Sequence, residues 1–239
     1  MNRILFEKGE IAGSRVVLND GRARHITEIL HGEPGQTLKT GEIDGPIGTS
    51  TIVAIGGDGS VTLETNHGAQ SLAPWIDIIL APPRPRVMKR LLPQLAAMGA
   101  GRIVLAGAKK VEKDFWGATL LKEENFRPLL VEGLMQAGTS ILPEILLRRN
   151  FRTFLLEELD TMFPQSRRIV AHPAPLKREG PSRNEGRILL AVGPEGGWTE
   201  DELALLSAKG FAPYSLGPRI LKTETACIAL MARLGEGER

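Results

Sequence analysis

An α/β protein built on a parallel sheet and preceded by a small β-barrel is the architecture this sequence predicts, and three observations predict it. Up to Leu72 the chain runs in short stretches of β-branched residues broken by Gly and Asp clusters, of which Gly56-Gly57-Asp58-Gly59 is the plainest. From Trp75 strands alternate with helical stretches, the order that puts crossover helices between parallel strands. Charge divides at the same place. Residues 1–72 hold 6 Lys/Arg against 9 Asp/Glu, and residues 73–239 hold 24 against 19. The boundary falls at Leu72-Ala73-Pro74, giving domains 1–72 and 73–239, and a polyanion partner would be drawn mainly to the second.

In the first domain, strands are expected at Ser14–Leu18, Thr37–Lys39, Thr49–Ile55 and Ser60–Glu64. A helical turn or two fits around Arg24–Leu30, with Ile26, Ile29 and Leu30 on one face. The second domain opens with a strand at Trp75–Ala81, a helical stretch to Met98 and a strand at Arg102–Ala106. A helix follows over Lys122–Ala137, with Pro128 marking a kink or break. Further strands are expected at Glu144–Arg148, Arg167–Ala171, Arg187–Val192 and Phe211–Leu216. The last two lead into helices at Thr199–Lys209 and Lys222–Leu234. Thr199 and Glu202 have the spacing of a capping box, and Glu200 and Asp201 set negative charge in the first turn.

Composition narrows the function. The hydrophobic fraction of 42% and charged fraction of 24% are ordinary for a soluble protein. No stretch approaches the ~20 apolar residues of a membrane span, and the first residues lack a signal-peptide core, so a cytoplasmic location is expected. Cys227 is the single cysteine, which fits a reducing compartment. His25, His31, His67 and His172 are too scattered for a zinc site, and no metal is expected.

Chemistry concentrates in two loops after predicted strands, Val192-Gly193-Pro194-Glu195-Gly196-Gly197-Trp198 and Leu216 to Ala226. Ligands of open α/β sheets bind beyond the carboxyl ends of strands, so two such loops on adjacent strands are expected to line one pocket. Glycine there lets the backbone approach a flat ligand, and proline stiffens the approach. Familiar nucleotide cradles fail. Gly99-Ala100-Gly101 reads as a loop after a helix, with Val104 where a dinucleotide fingerprint needs its third glycine, and neither a P-loop nor a Gly-x-Ser-x-Gly elbow occurs. A ligand with an adenosine and a cationic sulfur needs no phosphate cradle, and S-adenosylmethionine is such a ligand.

The pair Gly193-Pro194-Glu195-Gly196-Gly197 and Leu216-Gly217-Pro218-Arg219-Ile220-Leu221-Lys222-Thr223-Glu224-Thr225 resembles the two signature motifs of the ribosomal RNA uridine-N3 methyltransferases of the SPOUT superfamily. The resemblance extends across the chain and implies a trefoil-knotted catalytic domain behind a PUA-like, RNA-binding barrel. It also implies S-adenosylmethionine as cofactor, a homodimer, and a partner in 16S ribosomal RNA or the small subunit, with neither membrane nor metal involved. Cofactor contacts are expected at Val192, Gly193, Pro194, Glu195, Gly196, Gly197, Leu216, Gly217, Ile220, Leu221 and Thr225. Departures occur at Gln94 and Ala97, where the family usually carries a lysine and a glutamate, and at Thr139, where an arginine is common. Lys222 replaces the commoner arginine, keeping charge without the guanidinium fork.

The expected reaction is methyl transfer to uridine N3, which is a poor nucleophile until deprotonated. Arg219 is the first candidate to stabilise the anion, with Lys222 in support, and Glu195 and Glu224 are candidate proton acceptors. RNA contacts are expected at Arg3, Arg24 and His25 and at Arg84, Arg86, Lys89 and Arg90. Lys109, Lys110 and Lys113, and Arg148, Arg149 and Arg152, form further basic groups. Trp75 and Trp198 read as core or interface residues. Competing readings are a SPOUT enzyme acting on another base or a ribose 2′-hydroxyl, and a noncatalytic RNA-binding assembly factor.

Overall fold

The computed structural model describes residues 2–173 and 187–235. The chain divides into two compact units, Met1–Ala73 with Val131–Leu142, and Pro74–Leu130 with Pro143–Arg239. The first unit therefore takes in a segment far along the chain that no composition shift marks.

Five strands make the sheet of the first unit: β1 (Ile4–Phe6), β2 (Arg15–Leu18), β3 (Thr37–Glu42), β4 (Ile47–Ile55) and β5 (Val61–Ala69), in the order β1-β3-β4-β5-β2. Only the β1–β3 pair is parallel, and register shifts between Ile47 and Gly48 and between Ile52 and Ala54 interrupt the β4–β5 ladder, devices that bend a sheet toward a small barrel-like form. Alternation drives this sheet. Val16, Leu18, Ile52, Val61 and Leu63 turn inward onto Phe6 and Ile26, while Val17 and Val53 face out. β1 escaped sequence reading because three apolar residues are too short to show a period.

The helical turn at Gly21–Arg24, capped by Asp20, runs into a π-helical turn at His25–Ile29, closed by Leu30 N–H donating to the His25 carbonyl at 3.0 Å. Bonding from i to i+5 widens the turn, so Ile26 is buried while Ile29 and Leu30 rotate into solvent rather than sharing its face.

Among the described residues the second unit holds six strands, β6 (Ile76–Leu80), β7 (Ala100–Ala106), β8 (Glu144–Arg148), β9 (Arg167–Ala171), β10 (Ile188–Val192) and β11 (Ala212–Tyr214). All pair in parallel, in the order β11-β9-β10-β6-β7-β8. Every residue of β6 and β10 is buried, as a sheet covered on both faces requires. One face packs Ile79, Val104 and Leu189 against Phe154, Leu155, Phe163 and Leu206. The helices Pro85–Ala97 and Thr223–Leu234 pack on each other and against β7 and β10.

Two sequence expectations change here. Ala100 and Gly101 begin β7 rather than forming a loop; only Gly99, at φ +89°, makes the turn, pressed against the Trp75 ring. The helix Glu123–Ala137 passes Pro128 unbroken. Residues 151–162 add helical turns, centred on a π turn at Phe154–Glu158, that no motif announced.

Candidate active site at the carboxyl edge of the parallel sheet

The two glycine-rich loops leave β10 and β11, which are not neighbours: β9 lies between them. Both loops nevertheless meet. Thr223 Oγ1, at the start of the last helix, donates to the Gly193 carbonyl at 3.3 Å, and Ser215 Oγ bonds the Gly217 N–H and carbonyl within its own turn. Between the loops lies a cavity of about 380 Å³, within the range of small-molecule sites. Val192, Gly193, Pro194, Glu195, Gly196, Gly197, Leu216, Gly217, Arg219, Ile220 and Leu221, all named from sequence, line it.

Three positions differ. Lys222, Glu224 and Thr225 do not line the cavity; Thr223, Ala226 and Leu230 do. The helix begins at Thr223, and residues spaced by three, four and seven share a face, so Glu224 and Thr225 turn away. Glu224 lies close enough to Cys227 to help burial push that thiol up to about 12. Sequence reading also missed His172 and Pro173, which follow β9. The rule that ligands bind beyond strand ends could have found them, had the strand order been known.

The wall is built for close backbone approach. A Cβ at Gly193 would come within 3.0 Å of the Trp198 indole, one at Gly196 within 3.0 Å of the Lys110 chain, and Gly217 holds φ +119°. Trp198, 8% exposed, stacks on Phe151 at 5.0 Å as a core residue, yet it also lines the cavity. Its buried Nε1–H has no partner among the described residues. Glu202 anchors the loop beyond Trp198: its carboxylate accepts from the Thr199 N–H at 2.8 Å and from the Lys109 N–H at 2.7 Å. Lys110 Nζ donates to the Gly196 carbonyl at 2.7 Å.

Arg219, Glu195 and Lys222 are exposed. Exposed Arg84 is held in its charged form chiefly by the Glu112 carboxylate at 3.0 Å, with Glu195 adding to the effect. Arg86, Lys89 and Arg90 are exposed on the helix Pro85–Ala97, at a spacing that gives them one face. In the first unit Arg24 is exposed, whereas Arg3 is engaged within the fold: Nε donates to the Gly138 carbonyl at 2.9 Å and Nη1 to those of Thr40 and Gly48. Arg3 and His25 border a hollow of about 540 Å³ with Asn2 and Lys39, and His25 Nε2 is buried there without a partner among the described residues. Thr139 bonds Ser71 at 2.8 Å, and Gln94 is exposed.

A family model for an RNA methyltransferase domain matches residues 70–235. The chain belongs to that RNA methyltransferase family. Ribosomal RNA small subunit methyltransferase E of Treponema pallidum is 31% identical over 97% of this chain and 90% of its own. A Borreliella burgdorferi relative, ribosomal RNA small subunit methyltransferase E 1, is 27% identical over 96% of this chain and 95% of its own. In fold, the chain matches a crystal structure of the Neisseria gonorrhoeae ribosomal RNA small subunit methyltransferase E bound to S-adenosyl methionine, with a TM-score of 0.80, 23% identity, and coverage of 99% of this chain and 97% of that one. As a member of the RNA methyltransferase family, the chain carries both glycine-rich loops and the cavity between them inside the matched region.

Proposed function

We propose that this chain methylates N3 of a uridine in 16S ribosomal RNA, with S-adenosylmethionine as donor. The observation that carries the reading is the cavity itself: two loops that leave non-neighbouring strands close around it, with glycine backbone in its wall and the exposed Arg219 guanidinium beside it. The walls suit a flat ligand without phosphates. Gly193 and Gly217 remove side-chain bulk, Val192, Leu216 and Leu221 supply apolar surface, and the orphaned Trp198 Nε1–H offers a buried donor.

The cofactor, when bound, supplies the methyl group and the neutral sulfide that leaves. The protein must orient the uridine and favour its N3 anion. Arg219 stabilises the negative charge that spreads onto the uracil oxygens as N3 loses its proton, and Lys222 adds positive potential from the start of the last helix. Of the two carboxylates, Glu195 lines the cavity and Glu224 does not, so Glu195 is the preferred proton acceptor. The basic face of Arg86, Lys89 and Arg90, with Arg84, holds RNA phosphates, and Arg24 and His25 supply RNA contacts on the first, PUA-like unit. N3 lies on the pairing edge, so the uridine must leave its stack.

The reading includes a homodimer and a trefoil knot at the carboxyl end. Ile220, 85% exposed beside the cavity, supports the first, since a large apolar side chain in solvent next to a ligand site calls for a cover.

The test is to incubate the protein with small ribosomal subunits and methyl-labelled S-adenosylmethionine, digest the RNA and identify the labelled nucleoside. N3-methyluridine is expected. A ribose-methylated nucleoside would move the reading to another target atom, and no label with intact cofactor binding would favour an assembly factor.

A further inference from the structure

We propose that Trp116 and Arg149 form a base-stacking platform for single-stranded RNA on the same sheet edge as the cavity, an inference that rests on the reading of this chain as an RNA-modifying enzyme. Because the six strands are parallel, the segments following β7, β8 and β10 all open on one edge. Three strand spacings separate β10 from β8, on the order of 15 Å, a reach of a few nucleotides.

The geometry at the far end of that edge is built rather than incidental. Gly107 N–H donates to the Arg148 carbonyl at 2.8 Å, and a Cβ on Gly107 would collide with the Arg149 backbone, so the loop after β7 lies hard against the end of β8. The Arg149 guanidinium sits 5.9 Å from the Trp116 ring centroid and donates from Nη2 to the Trp116 carbonyl at 3.3 Å. Buried Phe115 meets the indole edge-on at 5.5 Å and fixes its plane. Trp116 is only half-buried and Arg149 is exposed. A core tryptophan would be covered, and a purely solvating loop has no use for one.

Cations stand on the segment that carries Trp116. Lys109 and Lys113 are exposed on the same loop, and Lys110 connects it to the cofactor-side loop through its bond to Gly196. Asp114 opposes them, while Glu112 is engaged by Arg84. An indole braced on one side and a planar guanidinium set over it present two flat surfaces to a nucleobase with little ordering left to do. Their flanking lysines track the phosphates.

Fluorescence anisotropy on the full chain tests this, with a labelled oligouridine and an abasic strand of equal length as probes. Wild type is expected to bind the base-bearing strand about tenfold more tightly, and Trp116→Ala to reduce that preference to about twofold or less. Trp116→Leu, which keeps apolar contact with Phe115, should behave like the alanine variant, and Trp116→Phe should keep most of the preference. Equal preference in wild type and both ringless variants, or no preference in wild type, overturns the platform. Calorimetry with S-adenosylmethionine separates the two readings. Unchanged cofactor affinity in Trp116→Leu is expected, whereas no cofactor affinity in wild type defeats the proposed activity and leaves the stacking ratio standing.

Discussion

Thr223 and Gly193 share a hydrogen bond of 3.3 Å that fastens the last helix to the loop leaving β10. Thr223 is buried and lines the cavity, so its hydroxyl closes the site rather than decorating it. Thr223→Val keeps the shape and removes the donor, leaving the Gly193 carbonyl short of a partner. A net hydrogen bond contributes about 1 kcal/mol, so S-adenosylmethionine affinity by calorimetry should weaken about fivefold. An unchanged affinity would show that the two loops hold their places without this bond.

Arg219→Ala separates charge stabilisation from cofactor binding. Removing an electrostatic stabiliser of a developing anion typically lowers kcat by about a hundredfold or more. The cofactor affinity should change little, because backbone and apolar side chains make most of the cavity wall. Single-turnover methylation and calorimetry on the same variant check both halves. Equal loss in both would reassign Arg219 to the cofactor.

Asp77 is buried in β6 and paired with Arg187 at 2.6 Å. Burial raises its carboxyl above the usual range, and the Arg187 charge opposes that rise. Arg187→Ala would leave a buried carboxylate with only the Arg102 N–H and a more distant charge, a loss of about 3 kcal/mol near neutral pH, the low end for a broken buried pair because Arg187 itself is partly exposed. A raised folded pKa means that the folded state holds its proton longer. The defect should therefore be smallest below about pH 4 and grow as pH rises through the folded pKa. Urea unfolding of both proteins across that range measures it.

His67 gives the first unit the opposite slope. Its Nε2 bonds Thr40 Oγ1 at 2.8 Å, its ring stacks on Phe6 at 5.9 Å, and burial, then the Arg3 charge, lowers its pKa. A lowered imidazole pKa means that the unfolded chain takes up the proton first. Stability is full above the unfolded value of about 6.5 and declines as pH falls from there toward the folded pKa. Calorimetric unfolding at stepped pH should show that decline in wild type and a flatter response in His67→Gln. A decline beginning only below about pH 5 would point instead to carboxylates such as Glu10 and Asp20, whose pKa values the Arg22 hydrogen bonds lower.

Arg86, Lys89 and Arg90 should act through phosphates. Replacing all three with alanine is expected to weaken binding to small-subunit RNA and to flatten its salt dependence by roughly 0.7–0.9 for each phosphate that is no longer neutralised. Weaker binding with an unaltered salt slope would assign that helix face another role.

By itself the sequence determined the local grammar. Gly-Pro punctuation placed the loops Gly193–Gly197 and Leu216–Leu221, the Thr199 and Glu202 spacing specified a capping box that forms in full, and the alternation of strands with helices from Trp75 marked the parallel sheet. These are short-range effects of backbone freedom, capping and hydrophobic period, which a linear pattern records. Only the tertiary structure decided that β9 stands between β10 and β11 and brings His172 to the cavity. It also decided that helical rotation admits Thr223 and Ala226 while turning Glu224 and Thr225 aside, and that Val131–Leu142 belongs with the first unit. Strand order and helix phase depend on which distant apolar faces fit together, and that complementarity arises only when the chain packs.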